Sequence, residues 1–217
     1  MWNEQGIATA LADAPVPNAR TRDVRLESPL VGAAGLLEAP HLRGSMYFTV
    51  RERQFLDLVM VRGELSDAAF VDAFEGVVGC RPPAAPNTVA RSAAYDVLWL
   101  GPDEWLVRSS AAVTAGVLEG KLAPAIAGSY SAAVDVGSGY TVVEISGDRV
   151  RDVLARGCPL DLHPRVFGPG QCAQSHYFKA PVILLPTGDN RFEIVVRRSF
   201  ADYFCRILLD AATPLLS

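Results

Sequence analysis

Any chemistry in this chain would have to come from few side chains. Three histidines (His41, His163, His176) and four cysteines (Cys80, Cys158, Cys172, Cys205) are scattered, with no HExxH or CxxC spacing that would build a local metal site. Buried free thiols are the expected state of the cysteines. Asp161-Leu162-His163 places a carboxylate and an imidazole on one side of an extended segment. That pair suits an acid–base dyad or, in the preferred reading, a polar loop cluster held by hydrogen bonds. Gly116-Val117-Leu118-Glu119-Gly120-Lys121 resembles a phosphate loop only superficially. Its glycine spacing is wrong, and Leu122 stands where Ser or Thr would hold magnesium. Gly137-Ser138-Gly139 lacks the third glycine of a dinucleotide fingerprint and reads as a tight turn. No catalytic residue, cofactor-binding residue or metal ligand is assigned.

Other residues suit recognition of a partner protein. Trp99 and Trp105 flank a Gly101-Pro102-Asp103-Glu104 turn, and tryptophans serve at interfaces or in an ordinary core. Eighteen of the twenty basic residues are Arg, with only Lys121 and Lys179 as lysines. Arg offers a planar fork to carboxylates, although a GC-rich genome produces the same bias. Arg197 and Arg198 precede the last helix, and Arg149, Arg151, Arg156 and Arg165 lie near them in sequence. The candidate contact set is therefore Trp99, Asp103, Glu104 and Trp105 on the hairpin, Asp161, His163 and Arg165 on a loop, and Arg197 and Arg198. For the arginines a solvated charged face is the default reading, with pairing to a partner's carboxylates as the alternative.

The elements that must position these residues follow from periodicity and punctuation. Ser45 to Val50 and Gln54 to Val61 read as strands. A helix follows, with Ser66 as its cap, Ala69, Phe70, Ala73, Phe74 and Val77 on one face, and Gly79 as its left-handed end. Arg81 to Thr88 is a proline-rich loop. Tyr95 to Leu100 and Glu104 to Arg108 form a hairpin, and Ala112 to Ala123 a helix ended by Pro124. Strands at Ala132 to Val136 and Tyr140 to Ser146, joined by the Gly137–Gly139 turn, precede a helix over Asp148 to Arg156. Strands at Cys172 to Phe178, Pro181 to Leu185 and Phe192 to Val196 come next. Ser199 caps a final helix with Phe200, Tyr203, Phe204, Ile207 and Leu208 inward, and Asp202 favours its dipole. This order predicts an α+β fold of two small antiparallel layers, with sub-regions at about 45–123 and 131–212 behind a flexible tail over 1–25.

Composition narrows the function classes. The 217 residues are 50% hydrophobic and carry a formal charge of −4, which excludes a disordered chain and disfavours a nucleic-acid binder. No apolar stretch approaches a membrane span, and Met1 to Asn18 carries acids but no basic leader. A cytoplasmic protein with no membrane or nucleic-acid partner is expected.

Three segments, VLWLGPDEWLV (Val97 to Val107), RGCPLDLHPRVFGPGQCAQ (Arg156 to Gln174) and FEIVVRRSFADYF (Phe192 to Phe204), resemble the gamma subunit of heterotetrameric sarcosine oxidase. SPLVGAAG (Ser28 to Gly35) and PNTVARS (Pro86 to Ser92) fit the same family, and the resemblance runs from about Leu26 to the C-terminus. It implies a non-catalytic subunit, at 26–217, of an enzyme that demethylates sarcosine to glycine, makes hydrogen peroxide and passes the one-carbon unit to tetrahydrofolate. The partners implied are alpha, beta and delta chains, mainly alpha. Alpha and beta would hold NAD, FAD, covalent FMN and tetrahydrofolate, and delta zinc.

A fainter resemblance is to the N-terminal domains of folate-dependent aminomethyltransferases of the glycine-cleavage T-protein type. It is carried by AVDVGSGYTVVEISGDRVRDVLARGCPLDL (Ala133 to Leu162) and PGQCAQSHYFKAPVILLP (Pro169 to Pro186). Those transferases carry an acid at the start of the second strand of that pair, where this chain has Ala180-Pro181-Val182-Ile183. Two rival readings follow. One is an independent folate-dependent transferase using Asp161 or Asp135. The other is the equivalent subunit of a related N-methyl amino acid dehydrogenase or oxidase.

Overall fold

The computed structural model describes residues 27–33, 35, 48–113 and 116–215. The tail over 1–25, His41 and the start of the first expected strand lie outside these. Ten strands and four α-helices are described: β1 Thr49–Arg53, β2 Leu56–Arg62, α1 Ala68–Val78, β3 Val89–Arg91, β4 Tyr95–Gly101, β5 Glu104–Ala112, α2 Val117–Ile126, β6 Ala132–Asp135, β7 Tyr140–Ser146, α3 Val150–Ala155, β8 Ala173–Tyr177, β9 Ala180–Gly188, β10 Arg191–Arg197 and α4 Ala201–Ala212. They form two five-stranded sheets, a first in the order β3-β4-β5-β2-β6 and a second in the order β1-β7-β10-β9-β8, and every pairing is antiparallel. The fold is α+β, as expected.

Both faces of each sheet are covered, which strand alternation makes readable. On β5, Trp105 and Val107 join Phe70 and Phe74 of α1 and Leu118 and Leu122 of α2 in one core. Leu106, on the opposite face, meets Val195 of the second sheet. On β10, Phe192, Ile194 and Val196 point to α3 and α4, where Leu154, Phe204 and Leu208 complete the outer core. The layers run helices, sheet, sheet, helices.

The two halves of the chain exchange a strand. β1 pairs with β7 in the second sheet, while β6 pairs with β2 in the first. Gln54-Phe55 and the short helical turn Gly137–Gly139 therefore carry the chain from sheet to sheet and close no hairpin. Phe55 takes the left-handed φ of 57° in this crossover. At the far edges, Val89 N–H donates to the Gly170 carbonyl and Cys172 N–H to the Asn87 carbonyl, each at 2.9 Å, which stitches the sheets together.

Several boundaries differ from the sequence reading. Asp67, not Ser66, caps α1, its Oδ1 accepting from the N–H groups of Ala69 and Phe70 at 2.9 and 3.3 Å. Gly79, at φ 83°, ends that helix and donates to the Glu75 carbonyl. The helix expected over 112–123 is Val117–Ile126, because β5 runs on to Ala112 beside β2. Its start is fixed by Asp57 of β2, whose Oδ2 accepts from Leu118 N–H at 2.7 Å. Pro124 lies inside the last turn and does not end the helix. Before α4 the chain makes a short 3-10 turn, Arg198–Phe200, that absorbs Ser199. Tyr203 is 37% exposed; Cys205 takes the buried position expected of it.

Candidate subunit interface

The hairpin sets Trp99 directly opposite Trp105. Cross-strand partners share a face, and this face looks toward α1. Trp105 is fully buried, its ring 6.0 Å from that of Phe70, and its Nε1–H donates to the Pro83 carbonyl at 2.9 Å. It therefore anchors the proline-rich loop and is no surface contact, which corrects its place in the candidate set. Trp99 packs half-buried against the same core. The turn acids face outward. Arg62 of β2 binds Glu104 at 2.9 Å and lies 3.6 Å from Asp103. Gly63, beside this tip, lets the Phe70 ring approach to where a Cβ would be only 2.6 Å away.

Arg197 projects from the end of β10 with its guanidinium 5.7 Å from the Tyr140 ring. Glu104 and Arg197 line a common cleft at the open end between the sheets, with Met60, Leu100 and Gln174. Gln174, an exposed residue of that lining, donates to the Leu100 carbonyl at 2.8 Å. The structure thus joins two members of the candidate set that are far apart in sequence. Arg198 turns elsewhere and donates to the Glu27 carbonyl at 3.2 Å.

The Asp161–Arg165 loop sits apart from that cleft, with Leu162 and Phe167 inserted in the outer core of the second sheet. Asp161 Oδ1 accepts from the backbone N–H of His163 at 2.9 Å, and His163 Nδ1 accepts from Arg165 N–H at 3.2 Å. Carboxylate and imidazole each orient the backbone, so a local turn results. Asp135 likewise accepts from Gly137 N–H at 2.8 Å. Arg151 is a staple for this loop: it donates to the carbonyls of Leu162, Phe167 and Asp189, the last at 3.0 Å, with its guanidinium 4.9 Å from the Phe192 ring. Burial lowers its pKa, opposed by Asp189.

Cys158, Cys172 and Cys205 are buried free thiols and Cys80 is half-buried. Burial pushes Cys172 up to about 11 and Cys205 up to about 12, so neither is a thiolate at neutral pH. Among the described residues, no group of three or more His, Cys, Asp or Glu side chains is placed to hold a metal ion, and no helix is long and apolar enough to cross a membrane.

One set of polar residues escaped the sequence reading. Asp96, Arg108, Glu144 and Glu193 are buried between the sheets. Each is a single charge in a strand whose next position on the same face is apolar (Leu98, Leu106, Val142 and Val195), so no regular alternation picks it out. A second sheet covering that face is a tertiary fact.

Compared with solved structures, this architecture is that of the aminomethyltransferase type. The chain superposes on the glycine cleavage system aminomethyltransferase T of Bartonella henselae with a TM-score of 0.59 at 14% identity, over 78% of this chain and 47% of that one, a likeness of fold alone. A chain of the heterotetrameric sarcosine oxidase from Corynebacterium sp. U-96, solved with pyrrole 2-carboxylate, matches with a TM-score of 0.80 at 28% identity, over 88% of this chain and 97% of that one. The profile of the sarcosine oxidase, gamma subunit family matches residues 62–214. The sarcosine oxidase subunit gamma of Corynebacterium sp. (strain U-96) is 34% identical over 188 residues, 85% of this chain and 88% of that protein. The subunit gamma of Arthrobacter sp. is 33% identical over 169 residues, 77% of this chain and 81% of that protein. This chain belongs to the sarcosine oxidase gamma subunit family.

Proposed function

We propose that this chain is the gamma subunit of a heterotetrameric sarcosine oxidase, a structural partner in an oxidoreductase whose chemistry lies in other chains. The reading is carried by one observation, the match to named gamma subunits along nearly their whole length. Alpha, beta and delta chains are the proposed partners, with alpha the main contact. NAD, FAD, FMN and tetrahydrofolate are assigned to alpha and beta, and zinc to delta. Docking on a partner stabilises the folded chain by mass action, which is the physical meaning of an assembly role. The proposed contact surface is the open cleft lined by Glu104 and Arg197, with Asp103 next to Glu104 in the hairpin turn and half-buried Trp99 on the other face of the same hairpin. The Asp161–Arg165 loop and Arg198 are further contact candidates.

The test is co-expression with the alpha, beta and delta chains, followed by size-exclusion chromatography and a sarcosine-dependent peroxide assay. The chain is expected to co-elute with the active complex, and to show neither a flavin band nor peroxide formation when purified alone. Flavin absorption or saturable tetrahydrofolate binding by the isolated chain would overturn the reading in favour of an independent enzyme.

A further inference from the structure

The inner faces of the two sheets meet largely through aliphatic side chains, among them Leu58, Leu98, Leu106, Val142, Leu185 and Val195. Such contacts define no single offset, because sliding a strand by two residues exchanges one Leu or Val for another. Charges do define one. Glu144 and Glu193 are directly opposed in the β7–β10 register and both are buried, a like-charge pair that the second sheet can hold only with cations above it. Two arginines meet them. Arg53 of β1 binds Glu193 and lies 3.5 Å from Glu144, and Arg51 grips Glu144 with two hydrogen bonds of 2.7 and 3.0 Å.

Arg108 comes from β5 of the first sheet and binds Glu193. Among the described residues this is the ion pair that joins one sheet to the other. Arg108 also binds Asp96 across the hairpin, with Arg91 3.4 Å from the same carboxylate. Arg53 returns the connection by donating to the Ser110 carbonyl of β5 at 2.7 Å.

We propose that this five-residue cluster of Arg53, Asp96, Arg108, Glu144 and Glu193 selects the stacking of the two sheets. Only the native offset gives Glu193 its second cation and Arg108 its second anion; a shifted stack buries both short of a partner. The desolvation of charges between the sheets offsets most of their attraction, so the cluster acts on uniqueness more than on net stability.

The full chain tests this with Glu193→Leu, Arg108→Met and the double variant R108M/E193L. Each single change removes one side of the cross-sheet pair and lowers the thermal midpoint by roughly 10 °C. The double variant leaves Asp96 with Arg91 and Arg53 with Glu144, and it recovers at least half of the summed loss. Its amide resonances along β5 and β10 are nevertheless broadened or doubled, and their hydrogen exchange accelerates, while amides under the outer helices stay protected. Three results overturn the proposal. They are single-variant losses of a degree or two, additive losses in the double variant (a net stabiliser), or a sharp, uniquely folded double variant with wild-type exchange.

Discussion

On its outer side each sheet is sealed by helices through apolar contact, with Trp105, Phe70 and Phe74 on the first and Phe192, Phe204 and Leu208 on the second. On its inner side the same strands bury Asp96, Arg108, Glu144 and Glu193 among leucines and valines. The outer cores gain free energy with every apolar area removed from water and tolerate some variation in geometry. The inner layer is balanced between desolvation and pairing, so it contributes less per buried atom and depends far more on position. Strength and specificity sit on opposite faces of one strand.

Three perturbations would break or sharpen that contrast. The largest effect belongs to the outer core. Trp105→Ala removes a fully buried ring and the hydrogen bond that holds the Pro83 carbonyl, and about 3–5 kcal/mol of stability should be lost in chemical denaturation. Trp99→Ala, at a half-buried site, should lose less than half as much; equal losses would remove the distinction between wall and surface.

An intermediate effect is expected between the sheets. Burial pushes the Glu144 carboxyl up, but the hydrogen bonds and charge of Arg51, helped by Arg191 and Arg53, outweigh this and hold it below its ordinary value. A depressed carboxylate contributes stability that is fully present above its unfolded pKa, about 4.3, and lost as pH falls through the lower folded value. Thermal midpoints measured from pH 7 downward should therefore drop in that acid window for wild type and more shallowly for Glu144→Gln. Parallel curves would show that Glu144 does not share in the linkage.

The smallest effect is local. Asp67→Ala removes the α1 cap and should lower stability by about 1 kcal/mol, whereas Ser66→Ala should change it little. The reverse order would restore Ser66 as the cap.

The same contrast explains what could be read from the residues alone. The helix end at Gly79, the Tyr95–Gly101 and Glu104–Ala112 hairpin, and the apolar faces of α1 and α4 are local matters of φ, turn chemistry and period. The family was legible too, since long unrepetitive segments around Trp99, Asp161 and Arg197 carry it. Trp105 was misplaced because an aromatic beside a polar turn looks the same from either side of a strand. The start of α2 was missed because Asp57, sixty-one residues from Leu118, fixes it. Arg151 looked available to a partner, yet three backbone carbonyls and a ring already occupy it.

By itself, then, the sequence determined the order and kind of most elements, the antiparallel α+β class and the membership in the gamma subunit family. Those depend on short-range periodicity and on residue identity. Tertiary structure alone decided that β1 and β6 change sheets, that Glu104 and Arg197 share a cleft, and that Arg108 meets Glu193. A strand pattern records which residues alternate, and says nothing of whether water or a second sheet lies against the polar face.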